Sequence, residues 1–459
     1  MPRSSGRPAA PAPRTAAPSS CARSQNSDAR DRSVSKVDVS RTIASVFRAE
    51  RSMLLASLVQ RYRDLDLAEE VTSDAIEAAL KHWPIDGIPA KPGAWLLTTA
   101  RRKAVDRLRR DETLAAKMAA LQINSDRDNP SGSNALDDRV PDDRLQLFFT
   151  CSHPALAAQD RLALTLRCLA GLSTAEVARA LLIPPATAAQ RIVRAKNEIR
   201  TARIPFRVPG PDELAERVPM VLEVVYSIFT EGYSATSGDG VGRVDLSDEA
   251  IGMGRVLHAA LPGTSEVTGL LALMLLTDAR RRARIDEHGE IVLLADQDRR
   301  VWNAAFMAEG SELVSEALTR GPAGPYSVQA AIAALHDEAA DAAGTDWPQI
   351  VALYDVLMAL TPSPVVALNR AVGVAMTEGP EAGLELLDAI AAEPVLRRYH
   401  PFAMAKADLL HRLGRMDEAA VHYRRALDFA RTAPEKRLLR RRLAEVADAR
   451  DQADSTAST

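Results

Sequence analysis

Apolar residues in this chain recur at spacings of three and four over most of its ordered length, which is the signature of amphipathic helices. From Val37 onward Ile43, Val46, Phe47, Met53, Leu54, Leu58 and Tyr62 make one such stripe. Asp66 to Trp83 places Leu67, Val71, Ala75, Ala79 and Leu80 inward and leaves Glu69, Glu70, Ser73 and Asp74 on a small acidic face. After a loop rich in Pro and Gly (84–93), Leu97, Ala100, Ala104 and Leu108 define the apolar side of a further helix. Arg102, Lys103, Arg107, Arg109 and Arg110 occupy most of its other side.

Between Ala120 and Arg139 the period lapses into Asn, Ser, Asp, Pro and Gly, a polar linker. The stretch from Leu172 to Arg203 then reads as two helices around a tight turn. Ser173 or Thr174 caps the first, with Glu176 placed to close a capping box, and Val177, Ala178 and Leu181 share its inner face. The chain turns at Leu182 to Pro185, and Pro185 suits the first turn of a new helix running to about Ile199. Ala188, Ile192, Ala195 and Ile199 fall on its inner side; Gln190, Arg191, Arg194, Lys196 and Arg203 lie at or near the outer faces. A helix of this kind fits a DNA major groove. A helical hairpin with a solvated basic face has the same local pattern, so context decides.

Beyond Pro205, Pro209 and Pro211, helices are expected over Leu214–Phe229, Leu246–Leu261 and Val267–Leu276. Asp245, Asp248 and Glu249 read as an acidic helix N-terminus rather than a metal site. From Tyr326 a repeat emerges. Trp347, Ile350, Tyr354, Leu357 and Pro362 have the spacing of the second helix of a tetratricopeptide repeat, and Met416, Ala419, Tyr423 and Ala426 repeat it 69 residues later. That offset is near twice the ~34-residue unit. Ala371, Gly379 and Leu387 give a poorer copy with a one-residue slip, while Ala407, Leu410 and Gly414 supply the first-helix and turn positions of the last repeat. A non-repeating bundle is the alternative; stacked pairs would present a concave surface to a protein partner.

The 459 residues make about three units at ~150 residues each. Residues 1–36, rich in Pro, Ala, Ser and Arg and without apolar period, read as a disordered basic arm. No apolar run approaches the ~20 residues of a membrane span and no signal-peptide block opens the chain, so a cytoplasmic protein with no membrane partner is expected. Cys21, Cys151 and Cys168 have no metal-ligand spacing, His153 beside Cys151 reads as structural, and no cofactor is expected. With no P-loop, no dinucleotide-binding glycines and no nucleophile–base arrangement, an enzyme is not expected. The net charge of −3 hides a split: residues 211–459 carry 25 Lys and Arg against 38 Asp and Glu, a balance of −13, which leaves +10 for residues 1–210. A basic front half and an acidic back half point to a nucleic-acid module joined to an interaction module.

The order acidic helix, Trp83 with its Pro/Gly loop, AWLLTTARRKAVDRLRR, polar linker, LSTAEVARALLIPPATAAQRIVRAK resembles bacterial RNA polymerase sigma factors of the extracytoplasmic-function group over about residues 40–203. With the repeats included, the chain resembles the subgroup that carries a tetratricopeptide-like extension. The resemblance implies core RNA polymerase and promoter DNA as partners. It implies clamp contact by Glu69, Glu70 and Asp74, minus-ten binding by Trp83, the 85–92 loop, Arg102, Lys103, Arg107, Arg109 and Arg110, and minus-thirty-five reading by Thr187, Gln190, Arg191, Arg194 and Lys196. Leu182 stands where the family often has Gly, Ala186 to Gln190 where it has Gly-Thr-Val-Lys-Ser, and Ser73 where Gln is common. The expected fold is all-α: arm 1–36, region 2 over 37–112, linker 113–140, region 4 over 141–204, helical connector 205–325, tetratricopeptide-like repeats 326–446 and disordered tail 447–459. The extension is expected to modulate activity and to take a protein partner on its repeats. The alternative is a helix-turn-helix regulator fused to an interaction scaffold.

Overall fold

The computed structural model describes residues 50–119, 140–181, 183–234, 244–430 and 432–457. Among them the protein is all-α, apart from one isolated bridge between Ile285 and Ile291. The expected arm, the helix start at Ile43 to Phe47, most of the linker and Leu182 lie outside the described residues. Two compact units emerge, one holding Glu50 and residues 70–119, the other residues 51–69 and 140–457.

Helix α1 (50–62) buries Leu54, Leu55, Leu58 and Val59. The Asp64 carboxylate then accepts from the Asp66 and Leu67 amides at 2.9 and 3.0 Å and starts α2 (Leu65–Asp86). In the first unit α2 buries Val71, Ala75, Ala79 and Trp83, and α3 (Pro92–Ala119) buries Leu96, Ala100 and Ala104. Two expected core residues face water: Leu80 is 46% exposed and Leu108 39%. On α3 the fully buried stripe runs through Leu96, not Leu97, and twelve residues at ~100° each carry Leu108 about a third of a turn away from it. Helix α3 also continues past 112, where the linker was expected.

The second unit, which holds residues 51–69 of α1 and α2, continues with α4 (Val140–Cys151), α5 (Ala158–Cys168), α6 (Thr174–Ala180) and α7 (Pro185–Thr201). The capping box forms as the sequence dictates: Ser173 Oγ accepts from the Glu176 amide at 3.2 Å, and the Glu176 carboxylate accepts from the Ser173 amide at 2.7 Å. Pro185 occupies the first turn of α7, and Ala188, Ile192, Ala195 and Ile199 are its buried residues. The helix-turn-helix is therefore built from its own local chemistry.

Five helices follow, α8 (Pro211–Ser234), α9 (Val244–Ala260), α10 (Ser265–Ala279), α11 (Ala304–Arg320) and α12 (Pro325–Glu338). Helix α10 is apolar around its whole circumference and is covered by α9, α11 and α12. Close approach needs glycine: a Cβ on Gly269 would meet the Ser327 backbone nitrogen at 2.7 Å. Asp245 and Asp248 sit in the first turns of α9, and Asp248 pairs with Arg281 at 2.8 Å. The connector is not a loosely strung bead, because Arg217 on α8 donates to the Phe149 carbonyl of α4 at 2.7 Å and α8 packs on α4 and α5.

The last six helices are α13 (Trp347–Leu360), α14 (Pro364–Thr377), α15 (Pro380–Ala389), α16 (His400–Arg412), α17 (Met416–Phe429) and α18 (Ala433–Ala457). Neighbours pack as pairs α12–α13, α14–α15 and α16–α17. The 69-residue repeat is structural: Ile350 and Ala419 are both 0% exposed, and Leu357 and Ala426 are 3% and 0%. Gly379 (φ 103°) and Gly414 (φ 73°) supply the left-handed residue before the second helix of their pairs. This region is tetratricopeptide-like. Residues expected in the disordered tail from 447 are helical to Ala457.

Candidate nucleic-acid interface

In the first unit Trp83 is 2% exposed and meets Trp95 edge-on, with ring centroids 5.4 Å apart and planes at 65°. Both rings line an open recess of about 830 Å³ that also takes in Asp74, Lys81, Arg102 and Lys103. Sequence reasoning reached Trp83, Arg102 and Lys103 and missed Trp95, whose signal was an aromatic ring in the first turn of the basic helix. Arg102, Lys103, Arg109 and Arg110 are exposed. Arg107 pairs with Glu70 at 3.0 Å, so an expected DNA cation and an expected polymerase acid hold each other. Both side chains are substantially exposed, and such a pair is worth only ~0–1 kcal/mol, little enough to exchange for another partner.

Glu69, the third acid assigned to polymerase, is 8% exposed. Its carboxylate receives Arg51 at 3.2 Å, Arg167 at 2.9 Å and the Lys196 ammonium. Asp66 accepts from the same ammonium at 2.7 Å. Burial alone would lower the Lys196 pKa, but the two carboxylates outweigh it and hold it above the ordinary lysine value. Burial, with Arg167 beside it, lowers Arg51 despite Glu69. Lys196, expected to meet DNA, is thus folded into an ion cluster with only 14% of its side chain exposed. Next to this cluster Cys151 and Cys168 are both fully buried, and a hydrogen bond between their thiols, then burial, raises the Cys151 pKa. His153 Nδ1 accepts from the Ala155 amide at 3.2 Å.

Helix α7 turns a different set of residues to solvent. Gln190, Val193, Arg194 and Asn197 are exposed on the side opposite the buried stripe, Val193 by 55%. With Ala189 and Thr201 they line a shallow recess of about 400 Å³. Thr187 and Arg191 are half-buried at the margin, and Arg191 donates to the Gln159 side chain. Arg194 clasps Asp160, the acid at the start of α5, through two hydrogen bonds at 2.8 and 3.0 Å. Sequence reasoning did not select Val193 or Asn197, although the same periodicity that buries Ile192 and Ala195 turns them outward. Among the described residues no three His, Cys, Asp or Glu gather as a metal-ligand set, and no helix is long and apolar enough to cross a membrane.

Three family models match the chain. Residues 46–113 match sigma-70 region 2, residues 149–199 match sigma-70, region 4, and residues 217–318 match a family of unknown function, DUF6596. An uncharacterized protein of Rhizobium meliloti (strain 1021) is 41% identical over 399 residues, which cover 86% of this chain and 94% of the relative. Among solved structures, the crystal structure of the yeast Tom70 aligns with 94% of this chain and 88% of its own at 15% identity and a TM-score of 0.34.

Proposed function

The chain belongs to the sigma-70 family, joining regions 2 and 4 to a helical extension, and we propose that it binds core RNA polymerase, recognises minus-ten and minus-thirty-five elements and initiates transcription. The observation that carries this reading is that one chain holds two different DNA-suited surfaces, an aromatic-walled recess in region 2 lined in part by Arg102 and Lys103 and an outward polar face on α7. Unstacked bases need a ring to lie against and separated strands need phosphate partners, which the Trp83–Trp95 recess and Arg102, Lys103, Arg109 and Arg110 supply. Duplex recognition needs donors, acceptors and an apolar contact for a thymine methyl, which Gln190, Asn197 and Val193 supply.

Glu70 and Asp74 are the acids open to the polymerase clamp; Glu69, buried and held by Arg51, Arg167 and Lys196, serves to anchor the helix that carries them. On α7, Thr187 and Arg191 at the margin of the reading face and the exposed Arg194 serve as phosphate contacts, and Arg107 joins the minus-ten set when Glu70 turns to polymerase. The extension modulates activity through its packing on α4 and α5, and the paired helices from α12 onward take a protein partner. Adding the full-length protein to core polymerase in run-off assays on a genomic promoter library tests the central claim. Transcripts that depend on the protein support it. Their absence from every promoter, with tight duplex binding in the absence of polymerase, refutes it in favour of an ordinary DNA-binding regulator.

A further inference from the structure

The extension is acidic only in part. Residues 211–396 carry 11 Lys and Arg against 29 Asp and Glu, whereas residues 397–459 carry 14 against 9, so a balance of −18 gives way to +5. The reversal is a property of the surface, because Arg397, Arg398, Arg424, Arg425, Arg440 and Arg441 are all exposed.

The fold gathers these arginines on the last helices. Arg425 Nη2 donates to the Arg397 carbonyl at 3.3 Å, and the Arg398 guanidinium lies 5.9 Å from the Phe429 ring centre, so the segment before α16 runs beside the second half of α17. Helices α17 and α18 pack together as an antiparallel pair, with Asp417 near the start of one bound to Arg450 near the end of the other at 3.2 Å. Counting inward from that pair brings Arg424 level with the turn of α18 that holds Arg440 and Arg441. The nearby acids are mostly occupied. Glu435 accepts from the Thr432 amide at 3.0 Å, Glu445 holds Arg442 at 2.8 Å with Arg441 at 3.9 Å, and Glu418 holds Arg415 at 2.7 Å, leaving Asp428 and Asp448 exposed. Arg424 and Arg440 have no ion pair among the described residues.

We propose that this C-terminal arginine face binds the phosphodiester backbone of duplex DNA, a contact separate from those of regions 2 and 4. The cations are guanidinium groups, whose planar fork matches two phosphate oxygens at once. Phosphate binding of this kind carries no sequence information; it sets position and orientation. The −18 stretch would repel DNA, so the charge reversal also selects which end of the extension turns toward it. Tethering to DNA-binding domains raises the local DNA concentration, and a weak contact is then sufficient.

The contact presupposes a chain that works at DNA, but its test needs no polymerase and reads independently of the run-off assay. Full-length protein is titrated onto a random-sequence 40-base-pair duplex by fluorescence anisotropy across a salt series. Replacing Arg424, Arg440 and Arg441 together by Ala is expected to weaken binding and to reduce the slope of log affinity against log salt by about 2–3. The corresponding Lys variants keep the slope, and a control with Ala at Arg282, Arg300 and Arg320, exposed in the acidic stretch, leaves it unchanged. An unaltered slope in the first variant, or an equal loss in the control, overturns the proposal. A change in sedimentation with the slope intact also overturns it and assigns the face to self-association.

Discussion

Arg194 grips Asp160 with both arms of its guanidinium, Nε to Oδ2 at 2.8 Å and Nη2 to Oδ1 at 3.0 Å, which pins α7 to the start of α5. The two side chains are unequal, since Arg194 is 67% exposed and Asp160 5%. Removing either therefore has a different cost. Arg194→Ala leaves a buried carboxylate without its cation and is expected to destabilise the protein by about 2–3 kcal/mol. Asp160→Ala leaves an arginine that water can solvate, at about 1–2 kcal/mol. Urea unfolding of the two variants checks the order; a larger loss for Asp160→Ala would contradict it.

Lys196 and Glu69 make a second tie of opposite character, because both are closed to water. Glu69→Gln leaves Arg51, Arg167 and Lys196 gathered around a neutral amide, and a loss of about 3 kcal/mol is expected from uncompensated buried charge. The pH dependence has a definite sign. The folded Lys196 pKa lies above its ordinary 10.5, so its contribution is complete below that value and fades as pH rises through the folded pKa. Melting temperatures between pH 9 and 12 are expected to fall less steeply for Lys196→Met than for the parent protein.

What the sequence made legible was local chemistry with one answer. Glu176 stood where it closes a capping box with Ser173 or Thr174, and the structure takes Ser173; Pro185 suited the first turn of a helix, and Ala188, Ile192, Ala195 and Ile199 share one face of α7. The 69-residue echo of Ile350 and Leu357 in Ala419 and Ala426 was equally plain. Periodicity names the apolar face without saying what covers it or which edge of a polar face lies against another segment. For that reason Lys196 read as a DNA cation although Asp66 and Glu69, some 130 residues earlier, enclose it. Trp95 was missed because a single half-buried ring carries no period, Val193 because the outward face of α7 was read for polar side chains alone, and Leu80 and Leu108 were misplaced because they sit at the margins of their stripes.

His336 and Asp337 adjoin on α12 and oppose each other in pH. Burial, helped by Arg280 and Arg299, lowers His336 to about 4, so stability drops as pH falls from 6.5 toward 4. Burial raises Asp337 to about 6 against the pull of Arg280 and Arg299, so stability drops as pH rises from 3.8 toward 6. Between about 4 and 6 the two slopes largely cancel. Asp337→Asn removes the second and is expected to show a steeper acid loss than the parent; His336→Gln removes the first and is expected to lose stability as pH rises. Thermal melts from pH 4 to 7 check both signs.

Gly269 tests the packing of the apolar α10. A methyl group there would press against the backbone of Ser327, which cannot rotate aside as a side chain would. Gly269→Ala is expected to cost about 1–3 kcal/mol although alanine favours a helix. A neutral or stabilising effect in denaturant titrations would show that α10 and α12 stand further apart.

The outward face of α7 separates two kinds of DNA contact that the linear sequence could not. Val193 and Asn197 point away from the buried stripe, whereas Arg191 sits at its margin with its guanidinium turned to Gln159. A side chain that meets a base edge discriminates among bases, and one that meets phosphate does not. Asn197→Ala and Val193→Ala are therefore each expected to relax preference at one or two neighbouring base pairs of the minus-thirty-five element, by about 1–3 kcal/mol for a bidentate amide and less for a methyl contact. Arg191→Ala is expected to weaken holoenzyme binding to every promoter alike and to lower the salt slope by about 1. Binding of the holoenzyme to a library with this element randomised measures both effects. Uniform weakening by Asn197→Ala, with altered preference in Arg191→Ala, would place the reading face at the margin of α7 and return Arg191 to the bases.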